Sequence, residues 1–262
     1  MTMQFYKYQG TGNDFIILDN RQGNLPVLTT KQIEKLCHRR FGIGADGLMI
    51  LSLRDGYDFA MTYYNADGKE GSMCGNGGRC MVKFAYDLGI HRSTYRFIAT
   101  DGEHEAELDL NGIVRLRMKN VSAVESNLDH YILNTGSPHF VRFQPEVQSY
   151  AVVEEGRNIR NSKKFAQEGI NVNFVEVLDD HTIFVRTYER GVEDETYSCG
   201  TGVTAAAMMA AHNDTGFNQV DVQTKGGKLS VEFDKIDETH FENVWLVGPA
   251  QFVFKGDVTP AK

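Results

Sequence analysis

Five short blocks occur in this 262-residue chain and then occur again, in the same order, about 125 residues later. "TGNDFI" from Thr11 is echoed by "TGSPHFV" from Thr135, "GIGADGL" from Gly42 by "GINVNFV" from Gly169, and "MTYYNADG" from Met61 by "VRTYERG" from Val185. The turns "CGNGG" at Cys74 and "CGTGV" at Cys199 follow, and then "FIATDGEHEAEL" from Phe97 and "DVQTKGGKLSVEF" from Asp221. Ordered recurrence of this kind predicts two homologous halves, residues 1–128 carrying Cys74 and residues 129–262 carrying Cys199. Such a duplication commonly sets its halves about a pseudo-two-fold axis, so that equivalent loops meet across one cleft.

Each half reads as α+β. Words such as "AELDL", "VRLRM", "IFVRTY", "LSVEF" and "VWLVG" alternate with the period of two that marks half-buried strands. Turn words such as "DLNGI" and "TKGGK" join them. Helical patterns are fewer. Thr29 and Gln32 form a capping-box signature ahead of Ile33, Leu36 and Cys37. Met81, Phe84, Ala85 and Leu88 recur at helical spacing before a stop at Gly89, as Val203, Ala206, Ala207, Ala210 and Ala211 do before Gly216. The predicted fold is therefore α+β: two pseudo-two-fold-related halves, each a curved, mostly antiparallel sheet around a central helix, with the active site in the cleft between them.

Both apolar helices begin at a cysteine followed by glycine. A helix start leaves backbone N–H groups outside the helix's own ladder and so attracts anions. The same partial positive charge favours thiolate over thiol. Each turn thus joins an activated sulfur to an anion cradle. Packing is the plainer role for a cysteine, and Cys37, on the apolar face of its helix, and Cys80, inside the second helix, take it. Cys74 and Cys199 differ in being equivalent positions of a duplication.

Two such turns on either side of one carbon suit stereochemical inversion. A base removes the α-proton from one face and an acid delivers another to the opposite face. Amide donors around the carboxylate stabilise the charge that develops there, and exclusion of water strengthens every interaction involved.

Other chemistry fits less well. Four cysteines with no CxxC pair point to reduced thiols and to neither a disulfide scaffold nor a zinc site. The glycine turns lack the lysine and hydroxyl of a phosphate-binding loop, which argues against a pyridoxal-phosphate racemase. A net charge of −8 argues against a broad nucleic-acid footprint. No apolar run approaches the ~20 residues that span a bilayer, and the polar start lacks a signal peptide's apolar core, so no membrane partner and a cytoplasmic location are expected.

Taken as a set, "GTGNDFI", "NADG" before "CGNGGRC", then "SPH", "YERG" and "CGTG" resemble the diaminopimelate epimerase family, over nearly the whole chain. The resemblance implies cofactor-independent interconversion of LL- and meso-diaminopimelate, serving lysine and peptidoglycan precursor synthesis, in a homodimer. It implies Cys74 and Cys199 as the acid/base pair, assisted by His139 and Glu189. Asn13, Asn65, Asn171, Glu189 and Arg190 are implied as contacts for the small amino-acid substrate, chiefly at its distal end. Gly75 with Asn76, and Gly200 with Thr201, are implied as the cradle for the reacting carboxylate.

Simpler roles stand beside these. Asn13 and Asn65 suit local turn bonds, His139 a surface loop, and Glu189 with Arg190 a structural ion pair. The sequence also departs from the family pattern twice. Ser137 stands where asparagine often precedes Pro-His, which makes it a weaker substrate contact with one donor fewer. Gly47 stands where some members carry glutamine. Two alternatives remain: a proline- or hydroxyproline-type racemase, which typically has histidine where this chain has Asn76, and a non-catalytic duplicated anion-binding protein.

Overall fold

In a computed structural model, which describes residues 2–260, the strands and helices follow one another in an order that itself repeats. The first series is β1 (Met3–Gly10), β2 (Asn13–Asp19), α1 (Thr30–Cys37), β3 (Gly47–Ser52), β4 (Phe59–Asn65), β5 (Glu70–Gly71), α2 (Gly75–Asp87), β6 (Thr94–Ala99), β7 (Gly102–Leu108) and β8 (Ile113–Arg117). The second is β9 (Val124–Ser126), β10 (Tyr131–Asn134), β11 (Pro138–Phe143), α3 (Val152–Arg160), β12 (Asn171–Val177), β13 (Thr182–Glu189), β14 (Asp194–Thr196), α4 (Gly200–Met209), β15 (Gly216–Thr224), β16 (Gly227–Lys235) and β17 (Phe241–Pro249), with β18 (Gln251–Val258) last.

Strand pairing repeats as well. In the first series β1 pairs antiparallel with β2, β2 parallel with β3, β3 antiparallel with β4, β4 parallel with β6, and β6 antiparallel with β7. The second repeats it step for step: β10 antiparallel with β11, β11 parallel with β12, β12 antiparallel with β13, β13 parallel with β15, and β15 antiparallel with β16. Each repeated block of sequence falls on the corresponding element of the other series.

By contact the chain forms two compact units, residues 1–116 with 249–262, and residues 117–248. The cause lies in two strands near the repeat boundaries. β9 pairs with β10, in the second unit, and β18 pairs with β1, in the first. The compact units, which follow these pairings, therefore have other bounds than the halves 1–128 and 129–262 expected from the sequence.

Each unit has one helix deep inside it. In the first unit α2 buries Cys80, Met81, Val82, Phe84 and Ala85, with Phe84 against the rings of Tyr6 and Tyr8. It stops where the spacing predicts: Leu88 caps it, Gly89 turns with φ +92°, and the amides of Gly89 and Ile90 bond back to Tyr86 and Ala85. Helix α1 opens with the Thr29–Gln32 capping box and packs Ile33, Leu36 and Cys37 against β1, β2 and β3. In the second unit α4 buries Gly200, Gly202 and Val203 to Met208, a run that includes three consecutive alanines. Helix α3, which the sequence patterns did not predict, sets Val152 against Phe174 and Tyr188. Among the described residues no helix is long and apolar enough to cross a membrane.

Candidate active site

Both cysteine turns are helix starts. Cys74 is the N-cap of α2, with φ −91° and ψ 133°, and Cys199 the N-cap of α4, with φ −110° and ψ 110°. Neither side chain caps its own helix, so each sulfur is left to other partners. The first bond of each ladder runs from Gly78 N–H to the Cys74 carbonyl and from Val203 N–H to the Cys199 carbonyl. Amides of the first turn, those of Gly75 and Gly200 among them, lie before that ladder, where a helix start receives an anion.

In the first unit a polar cluster surrounds Cys74. Its thiol, half-buried, donates to Asn13 Oδ1 at 3.5 Å, and Asn76 Nδ2 donates to the same oxygen at 3.4 Å. Asn13 is oriented from its other end, where Nδ2 donates to Asp46 at 2.6 Å. Asn76, 1% exposed, is held through Oδ1 by Thr11 at 3.3 Å and by Arg79 at 3.1 Å. Arg79 is fully buried and also donates to the Thr11 hydroxyl and to the Gly75 and Pro249 carbonyls. Burial pulls its guanidinium down to about 10, while the thiols of Cys80 and Cys74 act in the opposite sense. Thr11 has φ +50°, a left-handed conformation that a β-branched residue adopts only when its surroundings impose it. Here the imposing bonds are those to Asn76 and Arg79. Asn65 ends β4, exposed, opposite Gly47 of β3. The glycine has a steric reason: a Cβ at position 47 would meet the Tyr63 ring at 2.5 Å.

In the second unit the equivalent turn contacts the equivalent residue. Thr135 Oγ1 donates to the Thr201 backbone carbonyl at 2.8 Å, where Thr11 donates to the Asn76 side-chain oxygen, and both targets lie two residues past the cysteine. Cys199, 8% exposed, has its Sγ 3.5 Å from the Thr201 hydroxyl. Ser137, Asn171 and Arg190 join in one network. Asn171 Nδ2 donates to the Ser137 hydroxyl at 2.9 Å, Arg190 Nη2 donates to it at 3.4 Å, and the Arg190 amide donates to Asn171 Oδ1 at 2.9 Å. Glu189 is half-buried at the end of β13, beside Arg190.

His139 is no surface-loop residue: it lies in β11 with 0% exposure. Its Nδ1 is 3.2 Å from Asn173 Nδ2. Burial, aided by the positive charge of Arg190, pushes the imidazole down to about 3 and keeps it neutral. Cys37 and Cys80, by contrast, are buried thiols pushed up to about 12, which fits a packing role and no acid–base chemistry.

Sequence reasoning passed over Thr11, Asp46, Arg79, Thr135 and Asn173. Arg79 sits inside "CGNGGRC", where the cysteines drew attention away from it. Asn173 follows Asn171 by two positions, hence on the same face of β12, which is the signal that would have found it.

The family model for diaminopimelate epimerase matches residues 5–124 and 131–253. A curated diaminopimelate epimerase from Flavobacterium psychrophilum is 50% identical over 97% of this chain and 99% of its own length. One from Chlorobaculum tepidum is 43% identical over 95% and 99%. Among solved structures, a phenazine biosynthesis protein of the PhzF family from Bacillus anthracis superposes with TM-score 0.71 at 15% identity, covering 99% of both chains. A hydroxyproline epimerase from Agrobacterium vitis gives 0.68 at 11% identity, covering 98% of this chain and 92% of its own. At such identities the structural likeness is one of fold alone.

Proposed function

Given that the chain belongs to the diaminopimelate epimerase family, we propose that it interconverts LL- and meso-diaminopimelate without a cofactor, using Cys74 and Cys199 as acid and base. The observation that carries the reading is the repeated device of a cysteine at the N-cap of a buried helix, with its sulfur not spent on capping. One thiolate takes the α-proton and becomes a thiol. The electron pair left on carbon spreads into the substrate carboxylate, where the amides of Gly75 with Asn76 and of Gly200 with Thr201 receive the charge. The other thiol then gives its proton to the opposite face of that carbon and becomes the thiolate. For the reverse reaction the two sulfurs exchange roles. The helix start favours each thiolate, and a thiol pKa close to the working pH serves both steps.

His139 and Glu189 assist at the sulfurs. Asn13, Asn65, Asn171, Arg190 and Ser137 bind the distal amino-acid end. In support, Ser137, Asn171 and Arg190 already form a hydrogen-bonded set containing a guanidinium, a group suited to a carboxylate. The enzyme works as a homodimer in the cytoplasm. For a second copy, β18 offers Phe252, Val253 and Phe254, which are 48%, 52% and 44% exposed.

The test is incubation with LL-diaminopimelate in deuterated water with no added cofactor. Deuterium at the α-carbon and appearance of the meso isomer are expected together. Folded, reduced protein that yields neither excludes the epimerase reading, and turnover of proline or hydroxyproline instead would select the racemase reading.

A further inference from the structure

Asn173 has every polar atom of its side chain assigned. Nδ2 lies 2.9 Å from the Phe140 carbonyl and 3.2 Å from His139 Nδ1, and Oδ1 accepts from the Thr187 hydroxyl at 2.9 Å. The orientation of the amide follows from chemistry. A backbone carbonyl only accepts, so the atom facing Phe140 carries hydrogens and is the nitrogen. Its second hydrogen meets His139 Nδ1, which must therefore present a lone pair. The ring proton sits on Nε2. That Nε2 is buried and, among the described residues, has no hydrogen-bond partner.

Asn173 also abuts the helix that Cys199 begins. A Cβ at Gly202 would fall 2.3 Å from Asn173 Oδ1 and 3.4 Å from Cys199 Cβ, so the amide and the cysteine crowd the same first turn of α4. Asn173 thus wedges between the His139 ring and the start of the Cys199 helix.

We propose that Asn173 is a positioning residue that fixes His139 as its neutral Nε2–H tautomer, so that His139 serves the reaction by donating a hydrogen bond from Nε2 and takes up no proton there. The inference rests on the assignment of His139 to the reacting site. A donor of fixed direction helps wherever negative charge gathers on thiolate or carboxylate, and its value lies in being oriented before the charge appears. The burial that holds the imidazole near 3 agrees with a ring that stays neutral at working pH.

The experiment follows ring protonation and kinetics separately. In protein with ¹⁵N-labelled histidine, nuclear magnetic resonance between about pH 5 and 8 should show His139 neutral throughout, with its proton on Nε2. Asn173→Asp places an acceptor at Nδ1, which moves the proton to that nitrogen and raises the ring's affinity for a second one. This variant should lose about 10²-fold in kcat with KM little changed, and its kcat profile should gain a new acidic limb. Thr187→Val, which removes the hydroxyl that pins Oδ1, is the milder variant and should shift the tautomer balance in the same direction. Wild-type His139 protonated on Nδ1, or titrating within that range, would overturn the proposal. So would a variant whose tautomer moves while kcat and its pH profile stay as they were. The wild-type spectrum needs no variant to fold, and it is independent of whether diaminopimelate is turned over, so a failed epimerase assay and a failed tautomer assignment are distinguishable.

Discussion

Arg79 shows how much of a site hides behind its obvious residues. A fully buried guanidinium is expensive to place, yet here it donates to four neutral oxygens and so fixes Asn76, Thr11 and the first carbonyl of α2 around Cys74. The cysteines were legible as candidates, because duplication set two of the four apart from packing thiols. Their supporting residues were not, since Arg79 and Asn173 acquire meaning only from partners distant in the chain, Thr11 for the one and His139 for the other. Thiol chemistry gives the first prediction at this scale. A serine hydroxyl is far weaker as an acid and as a base precursor, so Cys74→Ser and Cys199→Ser should each lower kcat by about 10²–10⁴-fold in both reaction directions. Full activity in either variant, measured on LL and meso substrate, would remove that cysteine from the pair.

Elements were more readable than their faces. The capping box of α1 and the stop of α2 at Gly89 stand where the residues put them, and five alternating words became strands. Two features escaped. Helix α3 carries an internal glycine that lowers helix propensity, yet Gly156 is required there because a Cβ would lie 2.3 Å from that of Tyr188. In β12, "NVNF" alternates as a half-buried strand should, but its polar face is buried too: Asn171 and Asn173 are 3% and 0% exposed. Period alone cannot tell a wet face from a polar face covered by a helix. The same covering makes Gly202 informative. Glycine to alanine inside a helix ordinarily stabilises by about 0.5–1 kcal/mol. In α4 the added methyl meets Asn173 Oδ1, so Gly202→Ala should destabilise by about 1–3 kcal/mol in urea unfolding and disturb the His139 contact. A variant more stable than the parent would mean that the Asn173 wedge yields freely.

At the scale of the whole molecule, buried ionisable groups make stability depend on pH in two stages, and the signs can be worked out. His139 binds a proton near 6.5 when unfolded and only near 3 in the fold, because burial opposes the charge. Between those values the unfolded chain holds more protons, so stability falls as pH falls, by at most about 1.4 kcal/mol per unit. From about pH 7 to 5 the loss should reach about 2 kcal/mol. Asp14 acts lower down. Burial raises its carboxyl, but Arg39 and Lys7, each 2.7 Å away, outweigh that and hold it at about 2 against an ordinary 3.8. Its contribution is present above the ordinary value and vanishes as pH falls through the folded one. Glu195, whose burial is outweighed by its bonds to Arg186 and Lys225, is also lowered and adds to this second stage. Urea unfolding followed across pH should therefore show an upper slope that His139→Gln flattens and a lower one that Asp14→Asn flattens. His139 and Asp14 titrate in different pH ranges, so the two variants act on different stages of one curve. A parent curve level from about pH 7 to 5, or an upper slope that His139→Gln leaves unchanged, would show that His139 is not held neutral by its burial.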